Sequence, residues 1–245
     1  MSKVEKTLLQ KYEELGIALL EEHLGYSFKN KLLIVKALSH PSLKQIHDFK
    51  LYFAKQKLEF EKLEFLGDAV LNLSITQLLL DSYPHVNEGT LAKFKNHLVS
   101  KKIITKIAIA LDIKNFLILT QGEIKSGGKT NLNNLENAVE ALLGAIYLDS
   151  DFCVVIKVIN MLWREQIENI GTLALDPKGS LQEVAHLLSL GIPQYLLLSQ
   201  TGKQNDLTFE IQVSLGENLV SNGVGKTKKE AEIQAAQILL RLLSN

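Results

Sequence analysis

The sequence predicts a mainly α-helical chain that ends in a small α+β domain. Over residues 1–170, apolar residues recur at three- and four-residue spacing and strand-like alternation is scarce, a pattern typical of packed helices. From residue 176 the pattern changes to one helix, three short strands and a final helix, which predicts an α-β-β-β-α domain. The 245 residues are 46% hydrophobic and 22% charged, which excludes a disordered or collagen-like chain and leaves room for two modest domains.

Regular apolar spacing, ended each time by polar or glycine segments, predicts the helices of the first domain. They cover Lys6–Glu22, Lys31–Ser39, Glu59–Ser82, Glu88–Val99, Lys101–Leu111, Leu132–Leu148 and Asp151–Glu168. The stretch Gln121–Lys129 (QGEIKSGGK) is the clearest internal loop, because glycine and polar residues dominate it.

The second domain follows a predicted linker at residues 171–175. Asp176-Pro177 marks its start, because proline is tolerated in the first turn of a helix but not further along. We therefore predict domains at 1–170 and 176–245. The elements of the second are a helix at Lys178–Leu190, strands at Gln194–Ser199, Thr208–Leu215 and Asn218–Asn222, and a helix at Lys228–Leu243.

Charge and cysteine content restrict the class of protein. Lysine plus arginine number 27, as do aspartate plus glutamate, so a polybasic or histone-like protein is excluded. The single cysteine, Cys153, cannot form an internal disulfide, suits a reducing compartment, and is expected to be a small core residue. No secretory segment begins the chain, and the longest wholly apolar run, Ala141–Leu148, is far shorter than the ~20 residues of a membrane helix. These features predict a soluble cytoplasmic protein with no membrane partner.

Carboxylates on two otherwise apolar helices are the most informative feature of the first domain. Glu61, Glu64 and Asp68 are spaced three and four residues apart, so they share one helix face. A second helix is apolar almost throughout, with Asn137 and Glu140 as its polar positions, three residues apart. Burying unpaired carboxylates is costly, and the usual remedies are protonation, a basic partner or a metal ion.

Two interpretations of these carboxylates remain open from the pattern alone. A stripe of acids on one helix is usually a solvated face. If instead the two helices pack face to face, Glu64, Asp68, Asn137 and Glu140 converge into the oxygen-only ligand set that Mg²⁺ prefers. Small residues on both helices would permit that close approach: Gly67, Ala69, Ala141 and Gly144.

The chain also resembles bacterial ribonuclease III in the order and spacing of several motifs. The most specific is Glu61-Lys-Leu-Glu-Phe-Leu-Gly-Asp68-Ala-Val-Leu, which is similar to the nine-residue signature of that family. The C-terminal domain resembles the double-stranded-RNA-binding module of the same family, so the resemblance covers essentially the whole chain. The other similar segments are Leu24-Gly-Tyr-Ser-Phe, Ala37-Leu-Ser-His-Pro-Ser42, Asn87-Glu-Gly89, Gly122-Glu-Ile-Lys-Ser-Gly-Gly128 and Glu140-Ala-Leu-Leu-Gly-Ala-Ile-Tyr-Leu-Asp149.

The resemblance implies a helical ribonuclease III domain in a homodimeric, Mg²⁺-dependent endonuclease that hydrolyses double-stranded RNA, with Mn²⁺ as a substitute ion and no DNA partner. It further implies 5′-phosphate ends, short 3′ overhangs, and roles in processing ribosomal-RNA precursors, mRNAs and tRNAs. Carried over by position, the metal site comprises Glu64, Asp68, Asn137 and Glu140. Of these, Asp68 and Glu140 also match catalytic residues, while Glu61 and Glu88 match auxiliary acids.

One position departs from the family pattern. The usual aspartate three residues before the catalytic glutamate is Asn137 here. An asparagine oxygen still ligates a hard cation but brings no charge, so metal affinity should fall. An alternative function therefore stays open, that of a catalytically weak or inactive double-stranded-RNA-binding protein on the same fold. Retention of the other acids favours the enzyme.

The last helix carries the clearest signal for RNA binding. Thr227 and Glu230 predict a capping box, which places Lys228 and Lys229 at the positive end of the helix, where phosphates bind readily. Residues 176–245 contain six Lys/Arg and seven Asp/Glu, so we expect this domain in isolation to bind RNA weakly and with a shallow salt dependence. The resemblance assigns RNA contacts to Gln182, Glu183, Asn205, Lys228 and Lys229, with Asn205 standing where the family usually has histidine.

Overall fold

The chain forms two compact units, Met1–Ile170 and Gly171–Asn245, which are described separately. The computed structural model describes residues 1–55, 59–173, 177–188, 190–202, 207–216 and 218–243, without the side chains of 171–173, 183 and 187. The linker predicted at 171–175 stays a prediction, because residues 174–176 lie outside the described residues.

The first unit is built from helices, as the sequence predicts. They are α1 Lys3–Glu14, α2 Ile17–Leu24, α3 Lys31–Ala37, a 3-10 helix Pro41–Gln45, α4 His47–Ala54, α5 Phe60–Ser82, α6 Glu88–Leu98, α7 Lys101–Ala110, α8 Ile113–Phe116, α9 Gln121–Lys125, α10 Leu132–Asp149 and α11 Phe152–Leu173.

Helices α5 and α10 form the centre of this unit and make its most extensive helix–helix contact. Two glycines allow the backbones to touch. A Cβ atom on Gly67 would lie 1.7 Å from the carbonyl oxygen of Glu140, and one on Gly144 would lie 2.2 Å from the carbonyl oxygen of Leu63. The close packing that the small residues predict is therefore confirmed at Gly67 and Gly144.

Helix α5 is the one helix in the described ranges that is long and apolar enough to cross a membrane by length and composition alone. Its contact with α10 provides another reason for that composition. Leu63, Leu71 and Ile75 of α5 are fully buried within the protein, as expected of an internal helix.

The second unit has the predicted α-β-β-β-α order. Its antiparallel sheet has the strand order β1-β2-β3, and Gly223 lets the last helix approach the sheet, since a Cβ there would lie 2.2 Å from the carbonyl oxygen of Ala231. The elements are α12 Pro177–Leu187, β1 Gln194–Thr201, β2 Thr208–Leu215, β3 Leu219–Gly225 and α13 Lys228–Leu243. Their shared core contains Leu181, Ala185, Val213, Leu215, Ala235, Ala236 and Leu239.

The structure corrects three predictions in the first unit. The helix predicted over Lys6–Glu22 is two helices, because Gly16 adopts a left-handed conformation with φ of 61°. The segment predicted as the loop Gln121–Lys129 begins with helix α9, which Thr120 caps by accepting a hydrogen bond from the Glu123 amide at 3.3 Å. Cys153 is exposed, so its prediction as a core residue is wrong.

Candidate active site

Contact between α5 and α10 brings the acidic faces of the two helices together. Gly67 lies between Glu64 and Asp68 on α5, and its backbone abuts that of Glu140 on α10. One turn before Glu140, the Asn137 side chain lies close enough to the Glu64 carboxylate to lower its pKa. The structure therefore places these four predicted site residues at one crossing point of the helices.

The carboxylates at this crossing act on one another electrostatically. Burial, together with repulsion from Asp68, Glu136 and Glu64, raises the pKa of Glu140 to about 8. Burial also raises the pKa of Glu64, as does repulsion from Glu61, Glu136 and Asp68, while the hydrogen bond from Asn137 opposes the rise. Desolvation and like charge both disfavour the ionised form of a carboxyl group. Positive charge at the site would favour the ionised form of both groups.

Side-chain partners at the crossing do not supply that charge. Asp68 accepts a hydrogen bond from Asn72 Nδ2 at 2.8 Å, a neutral donor. Within the described part of the chain, Glu64, Asp68 and Glu140 form no salt bridge with any Lys, Arg or His. Three carboxylates and an amide oxygen are the donors that hard divalent cations select, so this set fits Mg²⁺ or Mn²⁺.

The carboxylates do not already form a closed set of ligands. Among the described residues, no three His, Cys, Asp or Glu side chains lie close enough together to hold a metal ion in their present conformations. Ligation therefore requires rotation about the side-chain torsions, which Glu64 and Glu140, with three torsions each, permit.

The two auxiliary acids differ in their relation to the crossing. Glu61 lies on the first turn of α5 and pairs with Lys44 of the 3-10 helix, and its charge still acts on Glu64. Glu88 lies on the first turn of α6 and lines a cleft with Thr76 and Leu80. Its charge is not among those that raise the pKa of Glu64 or Glu140, so the single chain does not bring Glu88 into the cluster.

A further acid, Glu136, faces the site and was missed in the sequence. It precedes Asn137 on α10, and its charge acts on both Glu64 and Glu140. Its carboxylate pairs with Lys101 of α7 at 3.2 Å. The available signal was its spacing of four residues from Glu140, which places both on one helix face.

The second unit presents only part of the predicted RNA-binding set. Lys228 and Lys229 are exposed on the first turn of α13, after the predicted capping box, in which the Glu230 amide donates to Thr227 Oγ1 at 3.2 Å. Gln182 is exposed on α12. The side chain of Glu183 and the whole of Asn205 lie outside the described residues. The basic surface is small, because Lys178 pairs with Glu232 at 2.6 Å.

Each of the two units matches the model of a known protein family. Residues 30–166 match the family model described as Ribonuclease-III-like, and residues 177–243 match the model of the double-stranded RNA binding motif. The second match covers both helices and the sheet of the α-β-β-β-α unit.

Relatives match over nearly the whole chain. A protein named Ribonuclease 3 from Rickettsia conorii is 45% identical over 226 residues, which cover 92% of this chain and 97% of the relative. Ribonuclease 3 from Rickettsia bellii is 43% identical over 235 residues, 96% of this chain and 99% of the relative. The nuclease domain of ribonuclease III from Campylobacter jejuni superposes with a TM-score of 0.54 at 35% identity, covering 61% of this chain and 96% of that domain. The chain therefore belongs to the ribonuclease III family of nucleases and carries both a nuclease domain and a double-stranded-RNA-binding domain.

Proposed function

We propose that this protein is a Mg²⁺-dependent endoribonuclease that hydrolyses both strands of double-stranded RNA. It leaves 5′-phosphate ends and short 3′ overhangs, and its substrates are ribosomal-RNA precursors, mRNAs and tRNAs in the cytoplasm. The observation that carries the proposal is the set of three carboxylates and one amide at the Gly67–Gly144 crossing, without a basic partner in the described part of the chain.

The mechanism assigns a role to each side chain at the crossing. Glu64, Asp68, Glu140 and the oxygen of Asn137 would hold the cation, and a cation bound there would supply Lewis-acid polarisation of the phosphodiester and of a bound water. Glu140 is the most perturbed of these acids, with a pKa of about 8, so it carries a proton at neutral pH until positive charge arrives. The backbone contact between α5 and α10 holds the two helices that carry these side chains at a fixed distance from each other.

The protein acts as a homodimer in this proposal. Phe65, on the turn between Glu64 and Asp68, is 80% exposed, and Leu73 and Leu80 are exposed further along α5. The cleft of about 260 Å³ between α5 and α6 is lined mainly by apolar residues and can receive an aromatic ring. Large exposed aromatic residues are typical anchors of protein interfaces. The Campylobacter jejuni nuclease domain is likewise described as having a region involved in dimer formation.

Replacing Phe65 by serine should weaken the dimer by about 30-fold or more, because central aromatic anchors contribute about 2 kcal/mol or more. Sedimentation equilibrium of the full chain measures the change. Ile109→Ser is the matched control, since Ile109 is 64% exposed on a different helix, α7. If Phe65→Ser does not weaken the dimer, or if Ile109→Ser weakens it equally, Phe65 is not an anchor of the dimer interface.

RNA binding by the second unit should depend only modestly on salt. Each lysine that neutralises a phosphate adds about one to the slope of log affinity against log salt, so Lys228→Ala with Lys229→Ala should reduce that slope by about two. Filter binding of an RNA duplex in chelator measures it, and Arg241→Ala, at the other end of α13, serves as the control. A slope corresponding to six or more released ions, measured on the second unit alone, contradicts the expectation of weak phosphate contact.

Replacing Asn137 by aspartate should lower the Mg²⁺ concentration for half-maximal cleavage by about tenfold at pH 8, because it adds a charge within a few ångströms of the cation. The substitution also places a second carboxylate beside Glu64, whose pKa Asn137 lowers, so repulsion should make the metal-free protein less stable. Asn160→Asp, at an exposed position of α11, is the control. An unchanged Mg²⁺ midpoint would show that residue 137 lies outside the ligand set.

Cleavage of a long, uniform RNA duplex across a Mg²⁺ titration tests the proposed function. The proposal predicts that cleavage yields short duplexes with 5′-phosphate ends. Adding a chelator should abolish this cleavage. Intact RNA at every Mg²⁺ and Mn²⁺ concentration, with RNA binding retained, would instead establish the alternative, a double-stranded-RNA-binding protein on a nuclease scaffold. Asn137 is the observation that keeps this alternative in the test.

A further inference from the structure

Glu136 lies beside the candidate metal site on the opposite flank from Asn137. At about 100° per residue, Glu136 and Asn137 stand about 40° and 60° to either side of Glu140 around the axis of α10. Both residues therefore border the face that Glu140 presents to α5. A carboxylate at position 136 can serve the same cation from the other side.

The Glu136 carboxylate is held near this face and is largely shielded from water. Its side chain is only 20% exposed, and its Oε2 lies 3.2 Å from Nζ of Lys101, at the start of α7. Helix α7 packs against α10, so the ion pair links two helices in contact. The negative charge of Glu136 also acts on Glu64 and Glu140, which supports its nearness to both.

We propose that Glu136 supplies the site with the negative charge that Asn137 does not, and that Lys101 attenuates this charge. The inference rests on the proposed function, since it assumes that a divalent cation binds between α5 and α10. Glu136 acts through its electric field on the cation and is not itself a catalytic residue. In this chain the acidic residue of this pair on α10 stands at position 136, and position 137 is neutral.

The test is the affinity of the full chain for Mn²⁺ without RNA, measured from the electron paramagnetic resonance signal of the free ion. Glu136→Gln should weaken binding about tenfold, at the lower end of the effect of groups that surround metal ligands. Glu136→Gln combined with Asn137→Asp should restore most of the loss, because it returns the charge to the neighbouring position. Unchanged affinity in Glu136→Gln would overturn the inference.

Lys101→Met separates the charge of Glu136 from a purely structural role of the ion pair. If the pair only braces α7 against α10, Lys101→Met and Glu136→Gln both weaken Mn²⁺ binding. If the charge matters, Lys101→Met strengthens binding, because Glu136 loses its counter-charge. Weaker or unchanged binding in Lys101→Met therefore overturns the inference, and this arm decides the question if Glu136→Gln fails to fold. Glu165→Gln is the control, because it breaks another pair of α7, Lys106–Glu165 at 3.3 Å.

Glu140→Gln distinguishes failure of this inference from failure of the proposed site. If Glu140→Gln removes Mn²⁺ binding and Glu136→Gln does not alter it, the site stands and only the role of Glu136 is wrong. If neither substitution alters Mn²⁺ binding, the cation does not bind between α5 and α10, and both proposals fall.

Discussion

Glu140→Gln should reduce cleavage of duplex RNA by about 10³-fold or more, since loss of a single group that stabilises transition-state charge costs about 10²–10³ and Glu140 is also a proposed ligand. Glutamine keeps the size of the side chain but not its charge. RNA binding should persist, because the RNA-binding motif occupies residues 177–243. Single-turnover cleavage and filter binding, performed on the same preparation, measure the two properties.

The same variant should be more stable than the unchanged protein when metal is absent. The pKa of Glu140 is raised from an ordinary 4.5 to about 8 in the fold, so its ionisation opposes folding increasingly as the pH rises between these values. Glutamine removes that cost, and its advantage should be largest at pH 8 and shrink towards pH 4.5. Fluorescence of the single tryptophan, Trp163, follows unfolding of the nuclease domain alone. Retained cleavage, or lower stability at pH 8, would contradict the role given to Glu140.

Gly67→Ala should destabilise the nuclease domain by about 3 kcal/mol or more, because the added methyl group would overlap backbone atoms, which cannot rotate away as a side chain can. The added Cβ would lie 1.7 Å from the Glu140 carbonyl oxygen and 2.9 Å from the Gly144 amide nitrogen, so α5 and α10 must separate. Separation also parts Glu64 and Asp68 from Glu140, and cleavage should be lost even at temperatures where the domain remains folded. Denaturant unfolding followed by Trp163 fluorescence measures the stability.

Gly89→Ala is the matched control for this substitution. A Cβ on Gly89, in α6, meets only the Asn87 side chain at 3.6 Å, an ordinary contact. Alanine is favoured over glycine inside a helix by about 1 kcal/mol, so this variant should be as stable as the unchanged protein or more so. Equal stability of the Gly67 and Gly89 variants would mean that the helices do not touch at Gly67.

The fold could be predicted from the sequence where packing sets the pattern. Helix α5 lies at Phe60–Ser82, and its prediction as Glu59–Ser82 depended on long, regular apolar spacing. Helix α9 was not predicted because its five residues are too few to show a helical period. Gly16 separates two helices through its left-handed backbone, although the apolar spacing continues across it. The prediction that Cys153 is a core residue was wrong because residue type alone does not determine which side of α11 faces the core. Cys153 lies on the exposed side.

The candidate site was predictable in part. Spacing along each helix identified the acids, and the small residues identified where the helices could touch. Glu136 was missed because its ion pair with Lys101, 35 residues earlier in the sequence, forms only through the packing of α7 on α10. Glu88 matches an auxiliary acid by position, but the single chain leaves it in a separate cleft.

The most direct test of the central claim is to locate the cation. Crystals of the full chain grown with Mn²⁺ should show an anomalous diffraction peak at the crossing of α5 and α10, within coordination distance of oxygens from Glu64, Asp68 and Glu140. The same peak should be absent from crystals of Glu140→Gln. Mn²⁺ peaks found only elsewhere, in a protein that still cleaves duplex RNA, would contradict the claim that this crossing is the active site.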